Sequence, residues 1–265
     1  MINSPTWKSL AQSVVSVIAG ALVLLAMWKG VNWYFELPPI LLPSPSQVFS
    51  TAVEERQSLF RGTYVTGLAA TVGLFSAVVI GCVISIAFSQ SRSIRKAFFP
   101  YVVFLQTVPI VAIAPLLITW SGYQFRTVVI VTVIVCLFPI VNSVTEGLLA
   151  IQTDLNDMFR LYGASRTQRL LKLQLPTAIP YLMLGMKTSS GLAVIGAIVA
   201  EFFVGNGSNY DGLGTLMTGW QGFQRTDALI AAIFASTVLG LLLFAVVNLL
   251  AATVFHRWTS TDRKR

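Results

Sequence analysis

Apolar residues run along this chain in long stretches without a single charge. Residues 9–28 form the first stretch, 63–88 the second, and 97–125 is long enough for a membrane span plus part of a loop. Residues 127–145 form a shorter one and 228–255 close the series. The run 188–200 lies between Lys187 and Glu201, so a span over about 182–204 must take in both. A bilayer-crossing helix needs about 20 predominantly apolar residues. The pattern therefore predicts six membrane-spanning helices in an all-α protein. The first run reads as a retained span rather than a signal peptide, because no small-x-small cleavage site follows it. Trp28, Trp33 and Tyr34 close it as an interfacial aromatic belt.

The connections carry their own signals. Residues 37–46, LPPILLPSPS, are too rich in proline for a helix and read as an extended surface loop. Residues 48–60 then look like a short amphipathic helix leading into the second span. The stretch 146–180 is the longest connection, helical in composition and expected to break at Gly163 and again at Pro176. Residues 205–223 are rich in glycine, and would re-enter the membrane only if buried in protein.

Composition narrows the class. Of 265 residues, 55% are hydrophobic and 11% charged, against roughly 25% charged in soluble domains. That is too little polar surface to coat a soluble enzyme. The net charge of +8 would point to nucleic acid in a soluble protein, but in a membrane protein its placement matters more. Lys8, Arg92, Arg95, Lys96, Arg160, Arg166, Arg169, Lys172, Arg257, Arg263, Lys264 and Arg265 fall on one side of the predicted topology, with Lys187 near the same interface. Lys29, Arg56, Arg61, Arg126 and Arg225 fall on the other. The richer side is the cytoplasmic one, which puts both termini inside and leaves the lipid bilayer, not nucleic acid, as the partner of the apolar surface. Cys82 and Cys136 lie in apolar runs and read as small buried hydrophobes. His256 is the only histidine, so no His, Cys and carboxylate cluster is available for a metal.

Several motifs bear on mechanism. Ala69, Gly73, Ala77, Gly81 and Ser85 recur every four residues in the second span, which puts small side chains on one face and permits close helix approach. That face packs either within the chain or against another subunit. Pro109, Pro115 and Pro139 fall in the third and fourth spans, where prolines kink helices, and Pro109 and Pro115 are candidate gate residues. Glu201 and Lys187 are the ionisable residues of the fifth span, and such residues are functional candidates. Fourteen residues separate them, about 21 Å along a helix, so they do not pair. Lys187 snorkels to the inner interface. Glu201 either braces the loop at 205–214 or faces the pathway.

The connection around RLYGASRTQRLLKLQLP is the most specific feature. Asp157, Met158 and Phe159 precede Gly163 by the spacing of a short helix, and nine residues later come Leu173, Leu175 and Pro176. Glycine allows a turn other residues resist, so two short helices meeting at Gly163 would present a polar knuckle to the cytoplasm. A basic amphipathic loop lying on anionic lipid is the plainer reading.

With that spacing the segment resembles the EAA loop of permease subunits of bacterial ATP-binding-cassette importers, Glu-Ala-Ala, three residues, Gly, nine residues, Ile-x-Leu-Pro. Asp157 stands at the glutamate position, and Met158 and Phe159 replace the two alanines. The likeness covers nearly the whole chain. LPSPSQVF, VPIVAIAPLLITWSG, GASRTQRLLKLQLPTAIPYLMLGMK and AEFFVGNGSNYDGLGTLM are similar to the family of nitrate, sulfonate, taurine and bicarbonate importers and of uptake systems for pyrimidine vitamin precursors. Ser121 departs from it, standing where relatives usually carry an aromatic before the glycine. The resemblance implies a type I importer permease fold, with 1–265 a single transmembrane permease domain in the bacterial cytoplasmic (inner) membrane. It implies a homodimer, separate ATPase subunits that bind the ATP and Mg²⁺, an extracytoplasmic solute-binding protein, and no cofactor or catalysis on this chain. It assigns ATPase coupling to Asp157, Met158, Phe159, Gly163, Ala164, Ser165, Arg166, Leu173, Leu175 and Pro176. The chain has no GxxxxGK[ST] phosphate loop of its own. An ion-coupled secondary carrier or channel is the alternative, and it would leave the loop spacing unexplained. The transported solute stays open within that range.

Overall fold

The computed structural model describes residues 7–205 and 210–262. The basic end Arg263, Lys264 and Arg265 and the middle of the glycine-rich stretch, 206–209, lie outside the described residues, as do the side chains of Lys8, His256 and Arg257. The helices are α1 Trp7–Phe35, α2 Pro45–Glu54, α3 Arg56–Gln90, α4 Arg92–Thr107, α5 Ile110–Ser121, α6 Phe125–Leu149, α7 Thr153–Leu161, α8 Arg166–Arg169, α9 Leu175–Val204, α10 Leu213–Gly222 and α11 Thr226–Asp262. No strand occurs among the described residues. Five helices are long and apolar enough to cross a membrane, and α4 with α5 pass the same test as a bent pair. Counting that pair once gives the six spans expected from the apolar runs.

The core is built where α3, α6 and α9 pack together. Ala69, Ala77, Val128, Val131, Ile140, Ala193 and Ala197 are all fully enclosed there. The small-residue stripe of α3 is what brings α6 close. A Cβ at Gly73 would collide with the Thr132 side chain, and one at Gly81 would stand 2.7 Å from Ile140 Cγ2. Ser85 ends the stripe by donating to the Val141 carbonyl at 3.1 Å. The stripe is thus occupied within the chain. Gly81→Leu is expected to cost about 3 kcal/mol by overpacking, read as a lower melting temperature in detergent. A change in subunit association without that loss would mean the face serves another copy.

One proline expectation is met and one needs correcting. Within the run 97–125 the span bends sharply at Pro109: α4 and α5 meet at 101°. Val108 and Pro109 are both extended, with ψ of 124° and 117°; Val108 is so because a residue before proline is forced away from helical geometry. Pro176, by contrast, does not break the chain. A π turn at Leu170–Gln174 precedes it, Leu175 N–H bonding to the Leu170 carbonyl, and the helical path continues into α9. The wider turn absorbs the donor and space that proline takes from an α-helix. Pro139 likewise sits inside an unbroken α6.

The loop at 37–46 also ends early. Ser44 caps α2 through a reciprocal pair with Gln47, and Pro45 occupies the first helical turn, where its missing N–H costs nothing. α2 then passes almost directly into α3. Trp28 Nε1 and Asn32 Nδ2 of α1 donate to the carbonyls of Pro43 and Leu42, at 3.1 and 2.6 Å. Cys136 is buried, Cys82 half-buried, and both are free thiols.

Candidate functional site

Two polar constructions stand at opposite ends of the bundle. The first is the elbow between α7 and α8. α7 ends at Leu161 with Tyr162 as its cap, Gly163 takes φ +70°, and Ala164 N–H bonds back to the Phe159 carbonyl at 2.9 Å. That left-handed residue after the last helical turn is a glycine stop. The chain restarts at once, because Ser165 and Gln168 form a reciprocal capping box on α8. Asp157, Met158, Phe159, Gly163, Ala164, Ser165 and Arg166 therefore share one corner, exposed except for the half-buried Phe159 and Ala164. Leu173 is buried, and Leu175 packs against the main core. With Pro176, they root the elbow in the membrane helix rather than adding to its surface.

What the motif spacing did not reveal is the exposed apolar edge. Leu161 and Tyr162 are 87% and 85% exposed, and Leu155 and Met158 lie open beside them. At 100° per residue, Leu155, Met158 and Tyr162 fall on the side of α7 opposite Thr153, Asn156 and Arg160. Asp157 and Arg160 face each other loosely at 4.0 Å, both mainly in solvent.

The second construction surrounds Glu201, about 39 Å along α9 from Leu175. Glu201 is fully enclosed. Its carboxylate accepts from Thr66 Oγ1 at 2.9 Å, Gly214 N–H at 2.8 Å and Tyr210 OH at 3.2 Å. Thr66 Oγ1 in turn accepts from Leu213 N–H at 2.8 Å. Burial, and then the neighbouring carboxylate, raise the Tyr210 phenol above its ordinary value, which keeps it a donor. A Cβ at Gly212 would strike the Glu201 carboxylate, and one at Gly214 would stand 2.5 Å from the Ile198 carbonyl. Glycine at both places lets the α10 backbone close over the carboxylate. Leu213, Met217 and Trp220 then fill a second apolar cluster with Val48, Leu59 and Ala228. Within the stretch 205–223, the part that forms α10 is therefore anchored in protein.

The same end is tied by Arg225 to Glu55 at 2.7 Å, Arg61 to Asp211 at 2.8 Å and Thr51 to Asp227 at 2.5 Å. Pro109 and Pro115 are exposed on the bent pair and join neither construction. The structure thus groups the loop residues, encloses Glu201 elsewhere and leaves the two prolines apart.

The family of binding-protein-dependent transport system inner membrane components matches residues 69–258, which takes in most of α3, all of α4 through α10 with the elbow, and most of α11. The chain belongs to that family. Among curated relatives, it is 31% identical to the formylaminopyrimidine transport permease protein ThiX of Halalkalibacterium halodurans, across 86% of this chain and 89% of that one. It is 29% identical to the riboflavin transport system permease protein RibX of Chloroflexus aurantiacus (91% and 88% covered) and 27% to the taurine transport system permease protein TauC of Escherichia coli (89% and 88%). In fold, it resembles an inward-facing MetNI methionine ABC transporter chain with TM-score 0.65 at 18% identity, over 76% of this chain and 98% of that chain. The family match thus spans the elbow and, in the second construction, Glu201, Tyr210 and Gly214, but begins just after Thr66.

Proposed function

We propose that this chain is one of two permease subunits lining the solute pathway of an ATP-driven importer, worked from the cytoplasm through the α7–α8 elbow. The permease role itself follows from the family and the named relatives. The type I importer fold agrees with it, and the ion-coupled carrier or channel is set aside. The observation that supports elbow docking is the apolar edge of Leu155, Met158, Leu161 and Tyr162 left open beside the Gly163 turn. Open apolar side chains on a charged, membrane-proximal corner fit a protein partner better than water.

In this reading the partner is a separate ATPase that binds ATP and Mg²⁺. Closure of the ATPase pair pushes the elbow, and the rigid path from Arg166 through the π turn carries the push into α9. The spans then exchange between two arrangements whose balance ATP sets. A binding protein presents the solute on the opposite face, near the Glu55–Arg225 and Arg61–Asp211 ties. The concentration of arginine and lysine around α4, α7 and α8 supports a cytoplasmic elbow and cytoplasmic termini. Relatives named for formylaminopyrimidine, riboflavin and taurine support a small water-soluble cargo. Glu201 serves as the brace of the outer end.

The docking assignment is tested by capture of the ATPase on the detergent-solubilised permease. Met158→Asp with Tyr162→Asp is expected to weaken capture at least tenfold while the melting temperature holds, since both side chains are exposed. Unchanged capture would move the docking surface elsewhere.

A further inference from the structure

On the flank of α7 away from the apolar edge, the elbow closes over the ends of α3 and α6 and leaves a cavity of about 390 Å³. Arg160, Arg166 and Arg169 all line it, and no carboxylate does. Arg160 has only its loose pair with Asp157, and Arg166 and Arg169 have no ion pair among the described residues. Arg169 Nη1 donates to Asn156 Oδ1 at 3.1 Å, yet its Nε is enclosed without a hydrogen-bond partner. An enclosed guanidinium N–H left unpaired is costly, and the three arginines of the cavity meet no carboxylate there to neutralise them.

Two further features define the acceptor that would fit. α7 begins at this wall with Thr153, and its N-cap Gln152 makes no side-chain capping bond. The first-turn N–H groups add positive character at this wall, while Asp154, the acidic residue of that turn, does not line the cavity. Leu148, Leu149 and Ile151 supply an apolar margin at the membrane end of the same space. Guanidinium forks match the oxygens of a phosphate, and basic pockets between membrane helices take anionic headgroups.

We propose that this cavity binds a phosphate group, carried by an anionic phospholipid or present as free phosphate, and that the bound group pins the α7–α8 elbow to the ends of α3 and α6. The site needs only this chain and stands whether or not the elbow docks an ATPase. If it does, occupancy sets how firmly elbow motion reaches the spans.

The test is native mass spectrometry of the full-length permease in detergent. It is titrated separately with phosphatidylglycerol, phosphatidylcholine and inorganic phosphate. Saturable binding of phosphatidylglycerol over phosphatidylcholine supports a headgroup occupant, and saturable binding of inorganic phosphate supports the free anion. In either case Arg160→Gln with Arg166→Gln should weaken binding about tenfold or more. Arg92→Gln with Arg95→Gln, on α4 at the same end, should leave it within about twofold. Ser89→Trp, which fills the cavity and keeps every arginine, should also abolish it. Equal loss in the α4 pair would show diffuse surface attraction and overturn the site. So would binding that survives Ser89→Trp, or no saturable binding of either phosphate carrier.

Discussion

Glu201→Leu is expected to destabilise the protein by about 4 kcal/mol. The carboxylate is the shared acceptor of Thr66, Gly214 and Tyr210 in a fully enclosed space. Leucine fills comparable volume but accepts nothing. It would leave a hydroxyl, a backbone N–H and a phenol without their partner, each costing about 1–3 kcal/mol when buried. The damage would be local first: α10 would lose its tie to α9, and Trp220 and Met217 would loosen from the second apolar cluster. Glu201→Gln retains one amide oxygen as acceptor and should lose roughly half as much. Thermal unfolding followed by tryptophan fluorescence reads both variants. A fall for leucine smaller than for glutamine would show that the donors are not what holds α10 down.

Gly163→Val should cut ATP-driven uptake more than tenfold with little change in melting temperature. No atom lies within 4 Å of a Cβ built at Gly163, so the added side chain has room. The cost is in the backbone, because φ +70° is strongly disfavoured for a β-branched residue. Valine would therefore reset the angle between α7 and α8 without disturbing the spans. Gly163→Asn supplies the control, since asparagine tolerates left-handed geometry, and should retain most uptake. Equal loss in both variants would point to contact at the glycine rather than to the turn. Retention in both would remove the elbow from coupling.

How much of this was legible in the sequence differs from element to element. The four-residue spacing of Ala69 to Ser85 marks a close-packing face, but only the fold names Thr132 and Ile140 as what it meets. Gly163 was readable because a φ that only glycine favours leaves a glycine in the text. The π turn before Pro176 was not, since a helix can reroute its hydrogen bonds around proline without a residue signature. The bend at Val108–Pro109 lay in the same kind of ambiguity, resolved there by extension. Glu201 stands out as a charge in an apolar run, yet its chief partner Thr66 is 135 positions away and looks like any span threonine. The cavity behind the elbow was equally hidden, because its arginines read as part of a basic loop until their unpaired faces are brought together.

Uptake into proteoliposomes tests the central claim most directly. Permease alone, permease with its ATPase, and Met158→Asp/Tyr162→Asp permease with the ATPase would be compared, each with the binding protein and its solute outside and ATP inside. The account predicts accumulation only when wild-type permease and ATPase are both present. Equal accumulation by permease alone, driven by an ion gradient, would contradict it.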